Sequence, residues 1–144
     1  VAAKSARVEQ VADILHASAI RLLRFVRKDD ARSGITGAQL SVLSVLVFGG
    51  AQTLGALAAA EQVKPPTMSK LVGELERLGL ATRRPIDRRS IQVAVTDKGR
   101  RLLEAGRRRR LARLSKALAD LPPDKLDRLA QAAGLILAIT DSTI

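Results

Sequence analysis

The 144-residue chain has no cysteine, no tryptophan and no tyrosine, and only one histidine and two phenylalanines. Without cysteine there is no disulfide, no thiolate metal site and no thiol redox switch. One histidine excludes a multi-histidine metal centre within a single chain. Phe25 and Phe48 are the only rings. Single-stranded nucleic acids are usually gripped by stacking bases on rings, which this chain can barely do. No apolar run approaches the ~20 residues that span a bilayer. No secretory signal is evident at the start, so the expected location is cytoplasmic, with no membrane partner and no cofactor.

Positive charge is abundant. The formal net charge is +11 and the sequence pI about 11.4, which makes a polyanion the leading partner. Between Arg83 and Arg113 lie twelve basic residues and three acidic ones, a local charge of +9. Charge concentrated in one segment reads as a footprint for a partner. With so few rings, duplex DNA is favoured over single strands. The apolar fraction of 47% is enough for a core.

Periodicity divides the chain into mainly helical elements. Val8, Val11, Leu15, Leu22 and Val26 predict a helix from about Ser5 to Lys28, broken at Asp29-Asp30. Ile20 and Leu23 widen its apolar stripe, so it packs against two things. Thr36-Gly37-Ala38-Gln39 fits a capping box that opens a second helix, with Leu40, Leu43, Leu46 and Val47 inward and Gly49-Gly50 as its stop. A short alanine-rich helix follows from an N-cap at Thr53 to Glu61. Pro65-Pro66 opens a fourth, with Met68, Leu71, Val72, Leu75 and Leu78 buried and Gly79 as its end. Leu80–Pro85 and Ile91–Val95 predict a hairpin with the basic tip Ile86–Ser90. Thr96-Asp97 starts a fifth helix, and Pro122-Pro123 separates it from a last one carrying Leu126, Leu129, Ile136, Leu137 and Ile139. On the fifth helix, Gly99 and Gly106 allow close packing. Arg107–Arg110 point in all directions, so they cannot serve one DNA face together.

Two short helices joined by a tight turn, with a basic hairpin behind them, make a winged helix-turn-helix. The fourth helix suits the major groove, whose edges distinguish every base pair, and the hairpin tip suits a minor groove. The stretches Val63-Lys64-Pro65-Pro66-Thr67-Met68-Ser69-Lys70-Leu71-Val72, Leu75-Glu76-Arg77-Leu78-Gly79-Leu80, Asp87-Arg88-Arg89 and Val95-Thr96-Asp97-Lys98-Gly99 resemble the MarR family of transcriptional regulators. The resemblance covers essentially the whole chain. It implies a mainly α fold with a small β-hairpin wing and N- and C-terminal dimerisation helices. Residues 1–35 would be the first of these, 36–100 the DNA-binding lobe and 101–144 the last, in one compact chain. It also implies an obligate homodimer, a pseudo-palindromic operator and, often, release by a small aromatic or phenolic ligand.

Carried over by position, the resemblance places Thr67, Ser69 and Lys70 at the major groove, with Lys70 on a base edge, and counts Lys64 and Pro66 among the DNA-binding residues. Arg88 or Arg89 enters the minor groove, Asp87 orients an arginine through a charge-assisted bond, and Arg84 lies near the backbone. The double proline departs from the family's pattern, because Pro66 offers shape but no donor. His16, on the first helix, is a candidate ligand contact, although a lone histidine beside Leu15 is more often a packed or surface side chain. Three other readings compete with a ligand-released repressor. A non-specific architectural DNA protein would use the same charge, but has no need of positioning hardware. A protein-binding winged helix has no need of the +9 segment. An enzyme has least support, since no nucleophile–base pair or metal cluster is evident.

Overall fold

The computed structural model describes residues 2–28 and 30–141. Helix α1 spans Ala2–Val26, and a short 3₁₀ turn follows at Asp30–Ser33. Helix α2 is Gly37–Gly49, strand β1 Gln52–Thr53, helix α3 Leu54–Ala60 and helix α4 Pro65–Arg77. Strands β2 and β3 are Ala81–Pro85 and Ile91–Val95, and helices α5 and α6 are Asp97–Leu118 and Pro123–Asp141. The architecture is the mainly helical winged helix-turn-helix read from the sequence, with long helices at either end.

The core sits inside the winged lobe. Val42, Leu43 and Leu46 of α2 meet Leu57 and Ala58 of α3, Met68, Val72 and Leu75 of α4, and Leu80, Ala81 and Val93 of the sheet. Each large aliphatic group buried there contributes about 1.5–3 kcal/mol. By contrast, no residue of α1 or α6 is buried within the single chain. Val8, Val11, Ile14, Leu22 and Leu23 on α1 are exposed, as are Leu129, Leu135, Leu137 and Ile139 on α6.

Several boundaries differ from the sequence reading. Helix α1 begins earlier than Ser5 and stops at Val26, with Lys28 already in a turn. Asp30 opens the 3₁₀ turn, while Asp29 lies outside the described residues. The wing is a three-stranded sheet in the order β1-β3-β2 rather than a simple hairpin. Strand β1 pairs Gln52 with Val93 and Thr53 with Gln92, and two residues are too few to carry an alternating pattern. On α2, Val42 rather than Val47 completes the buried face, and Leu40 is only half-buried. Leu78 is exposed, because it is the C-cap residue of α4, where the chain turns away from the buried stripe.

Both helices of the helix-turn-helix end in the same way. After α4, Gly79 (φ 72°) lets Leu80 N donate to Leu75 O at 2.9 Å and Gly79 N donate to Glu76 O at 2.9 Å. After α3, Val63 N donates to Ala58 O at 3.0 Å and Gln62 N to Ala59 O at 3.1 Å. Both are Schellman closures, which need a left-handed residue just past the helix. At α3 that residue is Gln62 (φ 54°), which pays the strain a glycine would avoid.

Candidate nucleic-acid interface

Helix α4 presents three faces. Met68, Val72 and Leu75 are buried. Pro66, Lys70 and Arg77 lie opposite them at helical spacing, all exposed, with Thr67 beside them. Lys64 caps the helix start with no side-chain hydrogen bond and is also exposed. The first turn carries no acid, but Pro65 and Pro66 have no N–H and Met68 N donates to Lys64 O at 3.1 Å, which leaves the Thr67 N–H to face an anion.

Ser69 belongs to the third face and is not fully outward. It is half-buried and accepts from Arg83 Nη1 at 3.2 Å through its hydroxyl. Arg83 Nη2 donates to the carbonyl of the same serine. Glu76 Oε1 stands 2.8 Å from Arg83 Nε. That contact is an ion pair by distance only, since Nε has no aligned hydrogen-bond partner. A Cβ on Gly73 would come 3.2 Å from Arg83 Nη2, so the glycine leaves room for the guanidinium. Strand β2 is thereby clamped to the stripe Ser69–Gly73–Glu76. Alternation along β2 turns Arg83 inward and Arg84 outward to the exposed face. The sequence reading counted Arg83 only as charge. Its signal was parity with buried Ala81, two residues earlier on the strand.

The wing tip is held by its aspartate. Asp87 Oδ1 accepts from the backbone N–H of Arg89 at 2.7 Å and of Ser90 at 2.8 Å. The bond from Arg89 N–H, followed by the amide and hydroxyl of Ser90, lowers the Asp87 pKa below the ordinary 3.8. The expected bond from Asp87 to an arginine side chain is thus replaced by one to arginine's backbone, because a five-residue tip brings the amides closest. Ile86 N closes the turn on Ser90 O at 2.9 Å. Arg88 and Arg89 are left exposed at the tip.

The far end of α4 is fixed by the Thr96-Asp97-Lys98-Gly99 segment. Thr96 hydroxyl donates to Gly79 O at 2.6 Å and accepts from Gly99 N at 3.1 Å. Lys98 Nζ donates to Leu78 O at 2.8 Å. A Cβ on Gly99 would lie 2.2 Å from Leu80 O, so only glycine fits. The neighbour is thus backbone at the head of the wing, not a second helix. A Cβ on Gly106, which is buried, would first meet the flexible ends of Arg110 and Arg109, at 3.3 and 3.7 Å.

A cavity of about 810 Å³ lies behind the lobe, between the end of α1, the 3₁₀ turn, the start of α2 and Arg110 of α5. Leu23, Val26, Ile35 and Leu40 give it an apolar wall. Arg110 Nη1 donates to Asp30 Oδ1 at 2.9 Å, so this member of the arginine run has an acid partner within the chain. His16 is exposed on α1 and does not line this cavity. One polar chain leads from the cavity to α4. Cavity-lining Thr36 donates its N–H to Gln39 Oε1 at 2.9 Å, and buried Gln39 donates Nε2 to Glu74 Oε2 at 2.8 Å. The capping box was legible in the sequence, but this second use of Gln39 was not, because Glu74 is distant in sequence.

Among the described residues no group of His, Cys, Asp and Glu could hold a metal ion, and no helix is long and apolar enough to cross a membrane. The MarR family profile matches residues 33–90. An HTH-type transcriptional regulator of Mycobacterium tuberculosis is 38% identical over 136 residues, 93% of this chain and 95% of the relative. A transcriptional regulator of Thermotoga maritima superposes with a TM-score of 0.78 at 30% identity, over 94% of this chain and 99% of that one. A MarR family protein of Bacillus stearothermophilus shares the fold, with a TM-score of 0.79 at 22% identity over 95% and 97% of the two chains. A winged lobe with a basic outer helix face, and a relative of this identity along nearly its full length, have one meaning: the chain belongs to the MarR family of DNA-binding helix-turn-helix transcriptional regulators.

Proposed function

We propose that the protein is a sequence-specific repressor that binds a pseudo-palindromic duplex operator as a homodimer and is released by a small aromatic ligand. The observation that carries the first part is the Arg83 clamp. It joins α4 and the wing into one body, so that Lys70 and Arg89 meet DNA in a fixed relation. Fixed geometry suits base readout and is superfluous for bulk coating of DNA. Lys70, with Thr67 and Pro66, reads the major groove, while Arg88 or Arg89 enters the minor groove. Lys64 and Arg84 take backbone phosphates. Ser69 keeps a hydroxyl proton to donate, since Arg83 uses it as an acceptor.

MarR-family regulators bind DNA operators as dimers. The exposed apolar faces of α1 and α6 support the same arrangement here, with residues 1–35 and 101–144 pairing two chains and 36–100 contacting DNA. Pairing would set two recognition helices about 34 Å apart, one DNA turn. The ligand reading is supported by the 810 Å³ cavity and by the Thr36–Gln39–Glu74 chain that leads from it to α4. A ligand there regulates only if it favours the geometry that does not fit DNA.

Titration against labelled duplex from upstream of the protein's own gene, with excess unrelated duplex, tests the first part. Selection of sites from random DNA backs it up. Retained binding under competition and an enriched inverted repeat are expected. Loss of binding to competitor, with no enriched site, would favour an architectural protein. Repeating the titration with aromatic acids and phenols tests release, and unchanged affinity across the panel would remove the ligand from the mechanism.

A further inference from the structure

The turn between α3 and α4 is pinned on both sides of Gln62. Before it, the Glu61 carboxylate accepts from Ser41 Oγ of α2 at 2.9 Å. After it, Val63 packs against the buried core and its N–H closes on Ala58 O. Gln62 is held between them at φ 54°, and among the described residues it is the only non-glycine with a positive φ. A glycine would adopt this backbone without strain, so what the position gains from glutamine is a side chain. That side chain is exposed, and its amide makes no hydrogen bond among the described residues. Its use therefore lies outside the chain.

The adjoining start of α4 is short of donors. Pro65 and Pro66 have no N–H, and the Met68 N–H donates to Lys64 O. Gln62, Lys64, Pro65, Pro66 and Thr67 are all exposed, so the turn and the helix start make one surface interrupted only by Val63. Lys64 gives that surface a positive charge, and the nearest acid, Glu61, is turned toward α2 by Ser41. A helix end in the major groove has the phosphates of the groove edge beside it, and neutral amide side chains are among the groups that bind them. We propose that Gln62 is a DNA-positioning residue, whose side-chain N–H donates to a phosphate oxygen at the edge of the major groove beside the start of α4. This rests on the reading of α4 as the helix that enters the groove. A backbone held from both sides presents the amide with little freedom left to lose on binding. A neutral donor to phosphate fixes register, but adds neither sequence preference nor counterion release.

Two substitutions separate the amide from the backbone that carries it. Gln62→Gly removes both the amide and the strain, whereas Gln62→Met removes the amide and keeps a side chain of similar length. The full chain and each variant are titrated by fluorescence anisotropy against two duplexes, one enriched from random DNA by the wild type and one of unrelated mixed sequence at low salt. Both variants should bind both duplexes about tenfold more weakly, the scale of one hydrogen bond to a charged group. The slope of log affinity against log salt should stay as in the wild type. Gln62→Lys should bind at least as tightly as the wild type, with a slope steeper by about one unit. Wild-type affinity in either Gln62→Gly or Gln62→Met would overturn the proposal. A loss in Gln62→Gly alone would do so too, by making the stiffness of the turn the cause. So would a loss confined to one base position of the enriched duplex, which would turn the amide to a base edge. Because the unrelated duplex suffices for the comparison, a wild type without sequence preference would end the repressor reading and still decide this one. A wild type that bound neither duplex would end both.

Discussion

At the scale of single residues, two similar helix ends are built from unequal parts. Gly79 takes its left-handed conformation without cost, whereas Gln62 takes a similar one with a side chain attached. Replacing Gln62 by glycine should stabilise the lobe by up to about 1 kcal/mol, once the greater freedom of glycine in the unfolded chain is subtracted. Urea midpoints of the two proteins measure the difference, and a lower midpoint for Gln62→Gly would show that the glutamine side chain contributes more than its strain. Asp87 gives a prediction in pH. Its folded pKa is lowered, first by the Arg89 amide, so its contribution to tip order is complete above the ordinary value of 3.8. The contribution fades as pH falls below that value and through the lowered pKa. Protection of the Arg89 and Ser90 amides from exchange should follow the same course, and in Asp87→Ala it should be absent at every pH.

Between elements, the decisive contacts hold α4 to its neighbours. Arg83 clamps its side to β2, Lys98 and Thr96 hold its C-terminal end, and Gln39 reaches its Glu74 from α2. Arg83→Met keeps an apolar stem but removes the guanidinium. It should cost about 1–3 kcal/mol of stability, the range for charged hydrogen bonds. Operator affinity should fall by more than the stability change explains, because wing and helix would no longer meet DNA as one body. Operator titration at a temperature well below the melt of either protein measures this. Wild-type affinity in Arg83→Met would mean that the core alone aligns the wing.

For the molecule as a whole, the unevenness of burial matters most. The core runs from Val42 to Val93 in the lobe, with Leu103 of α5 also buried, while α1 and α6 leave their aliphatic faces open. Exposed apolar surface on this scale marks an association site. The protein should sediment as a dimer. Leu129→Glu with Leu137→Glu on α6 should yield monomers whose lobe still folds. Operator affinity should then fall at least about a hundredfold, as the second half-site ceases to be bound by the same particle. A dimer that survives both charges would place the interface elsewhere.

Much of the fold was legible in local sequence, because its signals are local. The Thr36–Gln39 box, the Pro65-Pro66 helix start, the Gly79 stop and the alternation of Ile91, Val93 and Val95 each act within a few residues. They set the order of the elements, and the run of basic residues set the kind of partner. Roles that depend on distant neighbours were not legible. Nothing beside Arg83 in the sequence says that it reaches Ser69, fourteen positions earlier. Nothing beside Arg110 points to Asp30, or beside Gln39 to Glu74. Strand β1 exists only because β3 lies alongside it. Composition and periodicity determined which elements form and what charge they carry. The tertiary structure alone decided which charges are consumed inside the chain and which remain for DNA, because pairing depends on the packing of whole elements.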